Sequence, residues 1–143
     1  MERRHARRQL TRYEPYPQQA AFHSAGAAYR ERLLRAGNQL GKTVAGGAEA
    51  AYHLTGRYPD WWAGRRWQRP VVAWVAGPTS ETTRDNPQRV LMGRPGGFGT
   101  GMIPGAAIEG WTRARGGVAD LLDTILVRHA SGGKSVLKLK NYE

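Results

Sequence analysis

The stretch Ala36-Gly37-Asn38-Gln39-Leu40-Gly41-Lys42-Thr43 decides the predicted fold class of this chain. It has the frame of a phosphate-binding loop, with Ala36 in the place of the first glycine of the strict pattern. In such a loop the glycines let backbone N–H groups surround a phosphate, the lysine reaches the β and γ oxygens, and the threonine hydroxyl ligates Mg²⁺. The motif therefore predicts that residues 37–43 bind Mg·ATP, with Lys42 as the catalytic group and Thr43 as the metal ligand.

The flanking sequence fits the context of a strand followed by a helix, which this loop requires. A short strand is predicted around residues 32–36. The segment 42–54 has small and aromatic residues on overlapping helical faces, which predicts a helix that ends near Gly56 and Pro59. Upstream, a breaker cluster at 14–17 precedes a predicted amphipathic helix over residues 18–29.

The pattern downstream of the motif alternates between strands and helices. The apolar run 71–76 has no polar alternation, which predicts a strand buried on both faces, as in a parallel sheet. A helix is predicted over 79–92, capped by Thr79 or Ser80 and broken or kinked at Pro87. After a glycine-rich loop at 93–105, the segments 124–129 and 135–140 predict a hairpin. This order predicts an α/β fold.

Composition limits the possible classes of protein. A chain of 143 residues fits one domain, and the absence of cysteine excludes disulfides, thiolate metal sites and cysteine nucleophiles. The sequence contains neither a signal peptide nor a stretch that could span a membrane. The formal charge of +11 favours a polyanionic partner such as nucleic acid. Because 18 of the 22 cations are arginine, compositional drift in a GC-rich genome is the alternative explanation.

Other chemistry-bearing residues leave alternatives open. The arginines of residues 1–13 form a basic arm, predicted to be flexible, that either contacts phosphates or is an idle tail. Trp61, Trp62 and Trp67 lie among four arginines, and they either cover the open edge of the core or contact DNA or a neighbouring subunit. The histidines at 5, 23, 53 and 129 show no metal-ligand spacing and are expected at the surface or at helix ends.

Several segments together resemble the ATPase domain of the large terminase subunit, the DNA-packaging motor of tailed bacteriophages. The resemblance begins with Tyr16-Pro17-Gln18-Gln19-Ala20-Ala21-Phe22-His23 and continues through the motif at 36–43. It extends to Gly56-Arg57-Tyr58-Pro59-Asp60-Trp61-Trp62, Trp74-Val75-Ala76-Gly77-Pro78-Thr79, Gly99-Thr100-Gly101-Met102-Ile103-Pro104 and Ser131-Gly132-Gly133-Lys134-Ser135. It covers residues 14–143.

The resemblance implies a RecA-like P-loop ATPase whose mostly parallel sheet is flanked by helices. Gln19 is similar to the glutamine that contacts adenine ahead of the loop. The implied partners are double-stranded viral DNA, the portal protein and the small terminase subunit, with further copies of the chain in a ring and no membrane. The implied location is the cytoplasm of an infected bacterium or of a host that carries a prophage.

The sequence departs from the family pattern in two ways. Many terminases have Arg or Lys inside the loop where this chain has Asn38, so a cis arginine contact to the γ-phosphate is not expected there. No apolar run ends in the Asp-Glu pair that hydrolysis needs, and the nearest candidates are Asp123 after Leu121-Leu122, and Glu143. Residues 14–143 are therefore expected to be the N-terminal portion of the ATPase domain, incomplete at the carboxyl end and without the acidic strand or the nuclease domain.

Three functions follow from the sequence. The first is an ATP-binding portion of the packaging motor that binds Mg·ATP with little turnover. The second is a fragment of a helicase-like P-loop ATPase. The third is a non-catalytic basic protein that binds nucleic acid through the arm and the Trp-Arg segment, with an affinity that falls steeply with salt.

Overall fold

The structure, a computed structural model, describes residues 9–35 and 41–142. Residues 36–40, which form most of the predicted phosphate-binding motif, lie outside this part. From residue 13 onward the helices and strands follow in chain order. They are α1 (Pro17–Ala25), α2 (Lys42–Thr55), β1 (Val72–Gly77), α3 (Ser80–Thr83), a π-helical segment (Arg84–Gln88), α4 (Arg89–Met92), a 3₁₀ turn (Gly105–Ala107), β2 (Ile108–Arg113), β3 (Leu122–Arg128) and β4 (Lys134–Asn141).

The four strands form one mixed sheet in the order β1-β4-β3-β2. Only β1 and β4 pair in parallel, whereas β3 is antiparallel to both β4 and β2. The prediction of a mostly parallel sheet is therefore wrong for the described residues. The reason is the predicted hairpin itself, because a short turn between β3 and β4 can only join antiparallel neighbours. The α/β class and the hairpin are confirmed.

The strand predicted at residues 32–36 is not found in the described part of that segment. Residues 31–35 belong to no strand, and residue 36 lies outside the described residues. A strand needs a neighbour for its backbone hydrogen bonds, and none of the described strands pairs with this segment. The side chain of Arg32 instead connects this segment to the Phe22 carbonyl and to the Glu49 carboxylate.

The core lies between α2 and one face of the sheet. The side chains of Ala48 and Leu54 on α2 are buried in one cluster with Ile125, Val127 and Leu137 of the sheet. Apolar residues at helical spacing on α2 and at alternate positions on the strands create these two matching surfaces. The helix ends where it was predicted to end, at Gly56, whose φ of 68° is left-handed.

The opposite face of β1 is open. Val72 and Trp74 are each 70% exposed, and the ammonium of Lys140 on β4 lies 5.1 Å from the centre of the Trp74 ring. The prediction that this strand is buried on both faces is therefore wrong in the described structure. An uninterrupted apolar run is equally compatible with a strand that has one covered face, because the run does not specify what packs against it.

The predicted helix at 79–92 is present but changes its winding at Pro87. Thr79 caps it by accepting a hydrogen bond from the Thr82 amide at 3.1 Å. Proline has no N–H for the regular ladder, and the π-helical segment around Pro87 accommodates this loss. Gln88 then joins the segment to β3, because its side chain accepts from the Leu122 amide at 2.9 Å.

The end of the predicted basic arm belongs to the core. Residues 9–12 are helical, and Leu10 and Tyr13 are buried. The hydroxyl of Tyr52 donates a hydrogen bond to the Leu10 carbonyl at 3.3 Å, which fixes this segment against α2. Residues 1–8 lie outside the described structure, so a flexible arm stays a prediction for them. Among the described helices, none has the length and hydropathy to cross a bilayer.

Gly46→Ala is expected to stabilise the chain by about 1 kcal/mol, because alanine costs less backbone entropy in a helix interior. Gly46 is exposed on α2, and a Cβ there meets no atom within 4 Å. The control is Gly47→Ala, whose Cβ would lie 2.6 Å from Cγ1 of Val90 and should yield no such gain. Urea unfolding of both variants measures the difference, and equal effects would contradict this packing of α2.

Candidate nucleotide-binding site

The amino end of α2 starts from a glycine and exposes the first residues of the helix. Gly41 is its N-cap with left-handed φ and ψ of 80° and 25°, and Lys42 and Thr43 form the exposed start of the helix. Its N-cap, a glycine, has no side chain to cap it, and its first turn has no acidic residue. Because the first N–H groups of a helix lack intrahelical partners and carry partial positive charge, this end suits an anion. The conformation at Gly41 is one that glycine adopts without strain.

A cleft lies between this helix end and the carboxyl end of β1. Thr43 lines one side of a cavity of about 420 Å³, and Gly77 and Pro78 line another. Thr82 and Asn86 bring polar groups to the same cavity. Ligands of α/β folds commonly bind outside the carboxyl ends of parallel strands, and this cleft has that position. A larger cavity of about 580 Å³ lies around Thr55, at the opposite end of α2.

The structure brings Gln19 to the end of the motif. Its side chain is 5% exposed, and its Nε2 donates to the Gly41 carbonyl at 3.1 Å. Its Oε1 accepts from the backbone N–H of Tyr16 at 2.8 Å, which fixes the amide at the start of α1. Of the predicted site residues, Gln19, Gly41, Lys42 and Thr43 therefore lie in one region. Gly37, Asn38, Gln39 and Leu40 lie outside the described residues.

A buried cluster of charged side chains is centred on Glu49 of α2, and it was not predicted from the sequence. The carboxylate of Glu49 on α2 accepts hydrogen bonds from both terminal nitrogens of Arg32, at 2.8 and 2.5 Å. His23 Nδ1 lies 2.9 Å from the same carboxylate, and His53 Nε2 lies 3.3 Å from it. Burial alone would raise the pKa of Glu49, but hydrogen bonds from His23, His53 and Arg32 outweigh burial and lower the pKa.

A signal for this cluster exists in the sequence. Glu49 is the one acidic residue of α2, and it lies between Ala45, Ala48 and Tyr52 on the apolar face of the helix. A lone carboxylate on an apolar face requires a buried partner. The partner itself could not be predicted from this pattern, because Arg32 is 17 residues away on an irregular segment.

His129 contradicts the expectation of surface or helix-end positions, because it is buried just after β3, whereas His23 lies in the last turn of α1 as expected but is also buried. His23 is 1% exposed and His129 is 2% exposed. The hydroxyl of Tyr13 lies 2.8 Å from His23 Nε2, so this ring bonds at both nitrogens. The ring of His129 lies against Gly56, where a Cβ would meet it at 2.4 Å. Long-range contacts that spacing does not reveal therefore bury both rings.

The three tryptophans have different environments. Trp62 is 3% exposed and packs against Tyr52 and His23, with ring centres 5.1 and 4.9 Å apart. This confirms packing for Trp62, although it packs on helices and not on a sheet edge. Trp61 and Trp67 are 44% and 37% exposed.

The acidic residues near β3 do not form the acidic strand end that hydrolysis needs. Asp123 lies at the beginning of β3, where its carboxylate accepts from the Thr124 hydroxyl at 2.9 Å. Asp120 pairs with Arg113 at 2.9 Å. Glu143 lies outside the described residues, which contain no cluster of three or more metal-ligating side chains of the His, Cys, Asp and Glu type.

Stability is expected to fall in acid as Glu49 takes up a proton. The pKa of Glu49 in the folded chain lies below the ordinary value of 4.5. The stabilisation that the ionised carboxylate provides is therefore complete above pH 4.5 and decreases as pH falls below that value. Each unit of pKa difference is worth about 1.4 kcal/mol. Urea unfolding between pH 7 and pH 3 measures the slope.

Glu49→Gln should flatten this acid dependence. The control is Asp85→Asn, because Arg84 also lowers the pKa of Asp85 but this pair lies at the surface. Asp85→Asn should leave the slope nearly unchanged, since exposed pairs contribute little. An acid slope that survives Glu49→Gln would contradict this assignment.

Two comparisons with known proteins point to the same family. Residues 33–143 match the sequence model of a family described as the terminase large subunit, T4likevirus-type, N-terminal. The chain is also 41% identical over 138 residues to the terminase large subunit of Salmonella phage P22. That alignment covers 84% of this chain and 27% of the relative, so the chain spans about a quarter of the length of the protein it matches. No solved structure matches the chain significantly.

Proposed function

The chain belongs to the family of terminase large-subunit N-terminal regions, and from this premise we propose that it is the Mg·ATP-binding portion of a viral DNA-packaging motor. The observation that carries this proposal is the geometry at the start of α2. Lys42 and Thr43 lie at a helix end with a glycine N-cap beside a cleft, and Gln19 is hydrogen-bonded to the same end.

Each of these residues has a role in the proposal. The helix N–H groups and the Lys42 ammonium bind the β- and γ-phosphates, because both present positive charge where the phosphates would lie. Within the described structure Lys42 forms no ion pair, so its charge is available to a ligand. Gln19 orients the adenine end. The loop residues Gly37, Asn38, Gln39 and Leu40 complete the phosphate contacts.

Thr43 suits the proposed Mg²⁺ site. Its side chain is exposed at the cleft, and a hydroxyl is a hard oxygen ligand. Magnesium in nucleotide sites commonly takes one or two protein oxygens and fills the remaining positions with phosphate oxygens and water. A single hydroxyl from this chain is therefore sufficient to help hold the ion, which neutralises phosphate charge when bound.

We expect this chain by itself to bind Mg·ATP with little turnover. Hydrolysis requires a carboxylate that orients the attacking water, and no apolar run of the sequence ends in an acidic pair. Asp123 does not replace it, since it lies at the beginning of a strand.

The assembled machine is part of the proposal. A terminase large subunit would act on double-stranded viral DNA in the cytoplasm of the bacterial host, as a ring of copies together with the portal protein and the small subunit. The charge of +11 suits contact with a DNA backbone. The family match argues against the helicase-like alternative.

One observation favours a second function, salt-sensitive binding of nucleic acid. The guanidinium of Arg65 lies 4.2 Å from the centre of the Trp67 ring, and this ring is partly exposed. Exposed aromatic and cationic groups of this kind bind nucleic acid strands by stacking and charge. This surface would bind DNA either as part of the packaging motor or independently of nucleotide.

A titration of the purified chain with Mg·ATP tests the proposed function. Saturable binding that needs Mg²⁺, with almost no phosphate release, is the expected result. Inorganic tripolyphosphate with Mg²⁺ is the matched ligand control for the adenine contact, and it should bind more weakly. DNA binding that falls steeply with salt, together with no nucleotide binding, would favour the second function and contradict the first.

A further inference from the structure

We propose that Glu49 is a positioning residue for nucleotide binding, because its ion pair with Arg32 joins the two chain segments on either side of the phosphate-binding motif. This inference rests on the function proposed for that motif. Arg32 lies four residues before Ala36, where the motif begins, and Glu49 lies six residues after Thr43, where it ends. The pair therefore closes a loop of chain that contains the whole motif.

The geometry of the pair makes it a rigid connection. Arg32 Nη1 lies 2.8 Å from Oε1 of Glu49, and Nη2 lies 2.5 Å from Oε2. Such a bidentate pair fixes orientation as well as distance. The side chains of Arg32 and Glu49 are only 20% and 10% exposed, so water screens the pair less than it screens a surface pair.

The segment that enters the motif depends on this pair. Residues 31–35 have no strand partner in the described structure, so no sheet ladder holds them. Arg32 instead contacts both neighbouring helices, because Nη1 also donates to the Phe22 carbonyl of α1 at 2.8 Å. Its guanidinium lies 2.9 Å from where a Cβ at Gly26 would be, so the small residue leaves room for it.

The same carboxylate also fixes the helix that carries Gln19. His23 is four residues after Gln19, so both side chains lie on one face of α1. Gln19 bonds to Gly41 at 3.1 Å, and His23 lies 2.9 Å from Glu49. One carboxylate thus connects α1, residues 31–35 and α2, which are the three parts of the chain around the proposed site.

A site that is held in place before binding loses less entropy when the ligand arrives. Without the Glu49 carboxylate, the flanks of the motif are no longer at a fixed separation, and the nucleotide must order them. We therefore expect Glu49→Gln and Arg32→Gln each to raise the Kd for Mg·ATP by about tenfold or more. The double variant should bind about as weakly as either single variant, because both changes remove the same connection.

The test compares these variants with a destabilised control at a temperature where every chain is folded. Ser135→Ala is the control, since its buried hydroxyl donates to the Leu54 carbonyl at 2.7 Å near the far end of α2. We expect Ser135→Ala to lower the melting temperature and to leave the Kd unchanged. Arg32→Lys keeps the charge without the bidentate geometry, and its Kd should lie between those of the wild type and Arg32→Gln.

The outcomes separate this inference from the proposed function. Unchanged Kd values in Arg32→Lys, Arg32→Gln and Glu49→Gln, together with binding that Lys42→Ala weakens, would overturn the positioning role and leave the nucleotide site intact. A rise in Kd that Ser135→Ala shares would also overturn it, since general destabilisation would then explain the effect. A folded wild-type chain that binds no nucleotide would overturn both proposals together.

Discussion

Lys42→Ala is expected to raise the Kd for Mg·ATP by about 10- to 150-fold. Hydrogen bonds to charged groups contribute about 1.5–3 kcal/mol, and each 1.4 kcal/mol changes an equilibrium constant tenfold. The Lys42 side chain is exposed at the start of α2 and forms no ion pair within the described part of the chain, so its loss should scarcely change stability. Isothermal titration at fixed salt measures the effect.

The chain offers a matched control for this substitution in Lys134. It lies in Gly133-Lys134-Ser135, which is similar to Gly41-Lys42-Thr43, but it is exposed at the start of β4 and precedes no helix. Lys134→Ala removes the same charge and should leave the Kd unchanged. Equal weakening by the two substitutions would mean that net charge, and not the site at α2, determines binding.

Trp62→Ala is expected to lower the free energy of unfolding by about 3–5 kcal/mol. The Trp62 ring is 3% exposed and packs among the rings of His23, Tyr52 and Tyr58. Its indole N–H also donates to the Arg65 carbonyl at 2.9 Å, and that acceptor would lose its partner. Urea unfolding followed by circular dichroism measures the loss without depending on tryptophan fluorescence.

Trp67→Ala is the control, because the same residue type is removed from a partly exposed position. Trp67 stacks on Arg65, and a contact of this kind at the surface contributes about 0.5–1 kcal/mol. We expect Trp67→Ala to cost less than a third as much as Trp62→Ala. Similar costs for the two variants would contradict the separation of this segment into a buried and an exposed part.

Local features of the sequence predicted local features of the fold. The α2 helix begins at Lys42 and ends before Gly56 as predicted, because helical spacing and a left-handed glycine act within a few residues. The Thr79 cap, the change of winding at Pro87 and the β3–β4 hairpin are local for the same reason. Each prediction needed only neighbouring residues.

Features that depend on distant residues were predicted wrongly or not at all. The sheet is mixed because β4 inserts between β1 and β3, a choice that no single segment encodes. The exposed face of Trp74 depends on what packs against the sheet, which an apolar run does not specify.

The candidate site divides in the same way. The sequence by itself indicated the family and predicted nucleotide binding at residues 36–43, because glycine, lysine and threonine at fixed spacing carry a mechanism within one short segment. Only the tertiary structure decided that Gln19 meets Gly41 and that Glu49 pairs with Arg32 and His23. These partners are 17–26 residues apart, and their contacts form only when packing orients α1 against α2.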